Sequence, residues 1–276
     1  MSLAAAHLDL VPRPQIPAPP DSASFLRKIA GVTVGRADQD VEGGERVWPL
    51  RFGGIDALLP DGGLPRGAVV ELAAPYGLGR ATSIALAACA SAQAEAKLRG
   101  GEGTAGAWCA WIDPTAETSD QALGPPPTSL FAPAAARAGV DLSRLLVVRP
   151  PLEALSRVAA RTAQSRVFSV IVVDLVGVPG RRPAHELRLE RWVNPVRRLA
   201  MAVTGLETTV LLLTDALAPR PLPLPVALRL ELERAGVDRL LVTVAKDRRG
   251  RVAPPRSVGG FGPTRLAPHD RAQAAG

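Results

Sequence analysis

The chain has 276 residues, 47 % of them apolar, with 33 Lys plus Arg against 26 Asp plus Glu. That balance excludes a wholly disordered chain, and the presence of only two cysteines excludes a disulfide-stapled miniature. The net charge of +7 favours a polyanionic partner such as DNA, because each neutralised phosphate releases counterions.

No window holds the ~18 uninterrupted apolar residues of a transmembrane helix. The first residues (MSLAAAHLDLVPRPQIPAPPDSAS) lack the basic start and long apolar run of a signal peptide. Cys89 and Cys109 fit a reduced, cytoplasmic protein, and His7, His185 and His269 are too scattered to form a metal site. The positive charge is clustered. From Lys246 onward there are seven cations and two aspartates, and residues 181–198 hold six arginines against Glu186 and Glu190. Such patches suit phosphate contacts, and an ordinary solvated face is the alternative.

In chain order, residues 1–22 are rich in Pro and Ala and read as a disordered tail. Ser24 is placed to cap a short helix over 25–30. GAVVELAA (67–74) is an apolar run between glycines, a buried strand. After PYGLG, the alanine-rich residues 80–98 have high helix propensity, and the glycines of 100–106 end the helix. WCAWID (108–113) and RLLVVRP (144–150) are further strands. In PLEALSRVAARTAQSR, Leu152, Leu155, Val158, Ala159 and Thr162 share a helix face, Pro151 suits a first turn, and Glu153 precedes Arg157 by four.

FSVIVVD (168–174) and TTVLLLTD (208–215) are apolar runs of the kind buried on both faces of a parallel sheet. Between them a helix over 186–205 restarts at Asn194-Pro195, with Asn194 as cap. Residues 226–233 and 237–245 alternate around Arg234-Ala235-Gly236 as a closing β-hairpin. Residues 249–276 read as a basic, partly disordered tail. The expected fold is α/β: one domain over 23–248, with a central, mostly parallel sheet flanked by helices and a C-terminal hairpin. Trp108, Trp111 and Trp192 are read as packing anchors, Trp48 as packing on the sheet edge, and both cysteines as core residues.

In such sheets ligands bind at the carboxyl ends of the strands. The loop after the first strand runs Ala74-Pro75-Tyr76-Gly77-Leu78-Gly79-Arg80-Ala81-Thr82-Ser83. Against the phosphate-loop (Walker A) pattern G-x-x-x-x-G-K-[ST], it keeps Gly79 alone. Ala74 replaces the first glycine, Arg80 the lysine and Ala81 the magnesium-binding hydroxyl, with Thr82 one position late.

The stretch that leads into this loop, GGIDALLPDGGLPRG (53–67), closely resembles the corresponding segment of RecA-family recombinases. The resemblance continues through Cys109–Asp113, Val170–Asp174, Val196–Leu199 and Val242–Lys246, spanning roughly residues 50–248. It implies a RecA-like core. It also implies a nucleotide site in the loop, a magnesium-positioning aspartate at Asp174, and a catalytic glutamate two residues beyond Asp113, where Thr115 stands. Glu117 is displaced by two. The family's γ-phosphate-sensing glutamine falls near Thr214-Asp215. Losing lysine, hydroxyl and glutamate together implies a pseudo-ATPase with no resident cofactor, weak binding of ATP and Mg2+ being left open.

The family contacts single-stranded DNA through two loops. The first corresponds to 176–185, with Arg181 and Arg182, followed by Arg197 and Arg198 on the next helix. The second, 216–225, is short and carries Arg220 alone, and neither loop offers an aromatic platform for a base. Lys246 and Arg248 resemble the basic pair that reaches a neighbouring subunit's nucleotide. Within the superfamily the chain is most similar to the ImuA family, RecA/SulA-related components of damage-induced (SOS) mutagenesis cassettes. This implies ImuB, an error-prone polymerase and RecA as partners, single-stranded DNA bound without sequence preference, and a cytoplasmic, nucleoid-associated location after damage. The competing readings are a DNA-dependent ATPase using Arg80, Thr82 or Ser83 and Glu117, and a SulA-like division inhibitor.

Overall fold

A computed structural model describes residues 46–75, 80–100, 107–114, 130–176, 189–218, 223–236 and 238–259. Every described residue lies in the unit Glu45–Gly276.

The unit begins with a two-residue strand, β1 (Val47–Trp48), paired antiparallel with β2 (Leu64–Pro65). Between them the lead-in segment makes a 3-10 turn over Ile55–Leu58. Several of its family-like residues fasten the segment to the core. Ile55, Leu59 and Leu64 are buried in the core. The Asp56 carboxylate accepts the Leu50 and Arg51 N–H groups, each at 2.7 Å. A Cβ at Gly63 would sit 2.6 Å from the Trp48 carbonyl oxygen, and one at Gly67, where φ is +65°, 2.7 Å from that of Leu206. These two glycines are therefore required by close backbone approach.

β3 (Val69–Ala74) follows and is buried along its whole length. α1 (Ala81–Gly100) then packs its small residues, Ala85, Ala88, Cys89 and Ala92 among them, close against the sheet. Lys97 and Arg99 lie in its last turn, where cations complement the helix dipole. Next come β4 (Trp108–Ile112), the short helix α2 (Ala132–Arg137), β5 (Leu145–Val148), α3 (Leu155–Gln164) and β6 (Phe168–Asp174). α4 (Val193–Val203), β7 (Thr209–Asp215), β8 (Leu228–Arg234), β9 (Leu240–Asp247) and β10 (Ala253–Val258) complete the order.

Eight strands form one sheet in the order β10-β9-β8-β3-β7-β6-β4-β5. The pairs from β8 to β5 are parallel, and β8-β9 and β9-β10 are antiparallel. The expected α/β architecture is thus present, with the antiparallel hairpin at its C-terminal end. Strand alternation sends Val70, Leu72, Trp111, Val172 and Leu213 to the face covered by α1. Val69, Ile112, Ile171, Val173 and Leu212 go to the opposite face, under α3 and α4.

Several local expectations are corrected. α3 starts at Leu155, after a 3-10 turn over Leu152–Ala154, and buries Leu155, Ala159 and Ala163. Thr162 turns its hydroxyl back onto the Val158 carbonyl at 2.9 Å. α4 is shorter than the 186–205 expected. A 3-10 turn over Leu189–Trp192 feeds it, and its N-cap is Trp192, not Asn194, with no side-chain cap bond. Pro195 lies in the first turn, where a missing N–H costs little. The sheet also continues past Arg248, because β10 adds an edge strand whose Pro254 and Pro255 are tolerated at an edge. The short elements β1, β2 and α2 carry too few residues for any periodicity and are not anticipated from sequence.

Candidate functional site

Three aspartates stand at or just past the carboxyl ends of adjacent strands. Asp174 ends β6, Asp215 ends β7, and Asp113 directly follows β4. Ile112 pairs with Val173 and Ala74 with Asp215, which sets the three strand ends beside the end of β3. Alternation from Trp111, Val172 and Leu213 directs all three aspartates to the α1 face. Asp113 and Asp174 are buried, and Asp215 is half-buried.

Each carboxylate has a local partner. Asp174 accepts the Val176 N–H at 3.0 Å and Asp215 the Leu217 N–H at 2.9 Å, so both close the turn after their strand. The Arg149 guanidinium lies 3.5 Å from Asp113. Among the described residues no group of three or more His, Cys, Asp or Glu is placed to hold a metal ion.

Gly77 and Gly79 lie outside the described residues. On either side of them, Ala74 ends β3 and Arg80 opens α1, its carbonyl accepting the Ile84 N–H at 2.9 Å. Ala81, at the position of the family's magnesium-binding hydroxyl, is buried in the core on the α1 face, and Thr82 is half-buried. Ala74 and Asp174 end their strands at this edge, and α1 begins there with Ala81 and Thr82, directly after Arg80.

Of the expected DNA-contacting residues, the four that are described lie on two separate parts of the unit. Arg181 and Arg182 lie outside the described residues. Arg197 and Arg198 are exposed on α4, on the opposite face of the sheet from α1. Lys246 and Arg248 stand at the amino-terminal edge of the parallel strands, because antiparallel β9 ends beside the start of β8. Lys246 is half-buried there and donates its ammonium to the Leu224 carbonyl at 2.9 Å.

That amino-terminal edge holds an ionic clasp that sequence reading missed. Arg251 donates to Asp61 at 2.7 and 2.8 Å and to Asp247 at 2.9 Å, tying the lead-in segment to the end of β9. The hydrogen bond from Arg251 holds the Asp61 carboxyl below its ordinary value. Burial alone would raise Asp247, but hydrogen bonds from Arg251 outweigh it and lower that group too.

A second cluster centres on Arg66, whose guanidinium lies 3.6 Å over the Trp48 ring and pairs with Glu95 and Glu207. The Trp48 indole donates to the Thr209 hydroxyl at 3.1 Å, so Trp48 is a buried anchor. A third, inside β3, is the buried Glu71, which accepts the Thr214 hydroxyl at 2.8 Å and faces Arg229 at 3.8 Å. The one sequence signal for it is an acid inside the apolar run VVELAA. Trp111 and Trp192 are buried as expected, whereas Trp108 is partly exposed, 5.2 Å from the Arg144 guanidinium. Both cysteines are buried and free, and hydrogen bonding to the Cys109 thiol, with burial, pushes the Cys89 thiol well up.

No protein-family model matches the chain. It is 35 % identical over 124 residues to Protein RecA of Rhodospirillum centenum, covering 45 % of this chain and 28 % of that protein. It is 37 % identical over 123 residues to Protein RecA of Cutibacterium acnes, covering 44 % and 29 %. With Protein RecA of Kineococcus radiotolerans the identity is 32 % over 170 residues, covering 58 % and 42 %. The match thus spans between 28 % and 42 % of the length of these curated relatives. Among the described residues no helix is long and apolar enough to cross a membrane. Similarity to RecA over about half the chain, joined to a mostly parallel α/β sheet, supports its place in the RecA-like superfamily.

Proposed function

We propose that the chain is a noncatalytic, RecA-like accessory protein of the DNA-damage response. It acts in mutagenic translesion synthesis by binding ImuB and an error-prone polymerase, and it engages RecA and single-stranded DNA without sequence preference. The observation that supports this is a RecA-like α/β core in which the loop's specified lysine and hydroxyl positions hold other residues. At the magnesium-ligand position stands Ala81, buried in the core, and at the lysine position stands Arg80. Phosphoryl transfer depends on positioning and charge stabilisation, so these losses and that of the glutamate compound one another. Arginine keeps the charge but not the shape, since a planar fork does not replace a compact ammonium. Asp215, in the glutamine's neighbourhood, repels a γ-phosphate instead of donating to it.

A protein that keeps the scaffold without the cycle suits an adaptor, docking through surfaces inherited with the core. The test is affinity capture of the tagged protein from DNA-damaged cells after nuclease treatment. Recovery of ImuB, RecA or an error-prone polymerase is the expected result. Recovery of none of them overturns the pathway while leaving the fold intact.

A DNA-dependent ATPase is the second reading, favoured by one observation: two buried carboxylates, Asp113 and Asp174, remain at the carboxyl edge. Hydrolysis abolished by Asp174→Ala would favour it.

A further inference from the structure

A groove of about 340 Å3 runs along the outer layer between α3 and α4, on the face of the sheet opposite α1. Arg157 and Arg161 line it from α3, one helical turn apart on one face, and Arg198 faces them from α4. Ala160 and Pro195 supply the apolar part of the wall, and Glu153 is the one acid in the lining. Neither α3 nor α4 contains an acidic residue, while together they carry Arg157, Arg161, Arg197 and Arg198.

Arg46, Arg66, Arg99, Arg149, Arg229, Arg249 and Arg251 all pair with a carboxylate. Arg157, Arg161 and Arg198 are exposed, and among the described residues none of them has an ion pair or a side-chain hydrogen bond. Glu153 precedes Arg157 by four but belongs to the 3-10 turn before the helix, and the two do not pair. Three unpaired guanidinium groups around one groove repel each other and leave their donors to water. An anion with several oxygens relieves both conditions, and the guanidinium fork matches phosphate in particular.

We propose that the groove between α3 and α4 is a phosphate-backbone site for single-stranded nucleic acid, held by Arg157, Arg161 and Arg198. It rests on the reading of the chain as a DNA-directed protein, and it deepens that reading by placing a contact surface on the outer helical layer. No aromatic side chain lines the groove, so bases do not stack there and binding is independent of sequence. An acidic protein segment suits it less well, because helix-groove peptides need apolar anchor pockets and the lining offers only Ala160 and Pro195.

The test is fluorescence anisotropy of a fluorescein-labelled oligothymidylate titrated with the full chain over a range of salt. The variants are Arg157→Ala/Arg161→Ala/Arg198→Ala, the same triple to lysine, and Arg137→Ala as an exposed control on α2. The alanine triple is expected to weaken binding at least about tenfold near 0.1 M salt and to flatten the log–log salt slope by about 2. The lysine triple keeps the slope, and Arg137→Ala changes neither value. All three sites of the triple are exposed, so its thermal midpoint stays that of the wild type.

Wild-type binding with an unchanged alanine triple overturns the groove and leaves the DNA-directed reading standing. A wild-type chain that does not bind the oligonucleotide overturns the groove and the DNA arm of the proposed function together. A heptaglutamate peptide that binds more tightly than the oligonucleotide at equal salt, and is lost in the triple, overturns nucleic acid as the occupant.

Discussion

The two edges of the parallel sheet differ in what their family-like residues do. At the amino-terminal edge the lead-in segment is fastened by buried Ile55 and Leu64, by Asp56 on two backbone N–H groups, and by Arg251 across to β9. At the carboxyl edge, Asp174 and Asp215 close turns, and the first residue inside α1 is a buried alanine. The strongest sequence resemblance therefore marks packing, and the weakest marks the place where the family does its chemistry. A family motif read from sequence can report the scaffold independently of the activity.

The comparison breaks if the lead-in segment can be loosened at little cost. Ile55→Ala removes a fully buried side chain and is expected to cost about 2–5 kcal/mol in urea unfolding. Arg66→Ala removes a nearly buried guanidinium, stranding Glu95 and Glu207 and uncovering Trp48. Its expected cost is about 3 kcal/mol, toward the low end for a broken buried pair because both glutamates keep some solvent. Asp56→Ala leaves the Leu50 and Arg51 N–H groups without their acceptor and should cost about 1–2 kcal/mol. The same measurement on Arg80→Lys should give less than about 1 kcal/mol, because Arg80 does not fasten the lead-in segment.

A further effect is a pH dependence of the clasp. Asp61 and Asp247 both have carboxyl groups held below their ordinary values. Their contribution to stability is therefore complete above the unfolded carboxyl pKa of about 3.9 and is lost as pH falls through the lowered folded values. Arg251→Ala should flatten the acid limb of stability against pH below about pH 4 and cost about 1 kcal/mol at neutral pH, since the pair is partly exposed. An unchanged acid limb would remove the clasp from the account.

Much of the fold was legible in the sequence because buried parallel strands announce themselves as apolar runs. VVELAA, WCAWI, FSVIVVD and TVLLLTD all form strands of the sheet, and the alternating pair after them forms the hairpin. β10 was hidden because APPRSV has no alternating pattern and two prolines, a composition that only an edge accepts. The cap of α4 was misplaced because Asn194-Pro195 has a helix-start signature that the preceding 3-10 turn overrides.

Strand order places the ends of β3, β6 and β7 side by side, so the edge where Ala74, Asp174 and Asp215 stand follows from the apolar runs alone. The role of Lys246 was not legible, because its ammonium is engaged by the Leu224 carbonyl, a partner that sequence spacing does not reveal. Arg157 was read for its spacing from Glu153, and the groove appears only when α4 is laid beside α3.

The most direct test of the account is ATP hydrolysis by the purified chain with magnesium and single-stranded DNA. We predict no turnover above a protein-free blank. Turnover that requires DNA and disappears in Asp174→Ala would contradict the noncatalytic reading and return the carboxyl edge to the role of an active site.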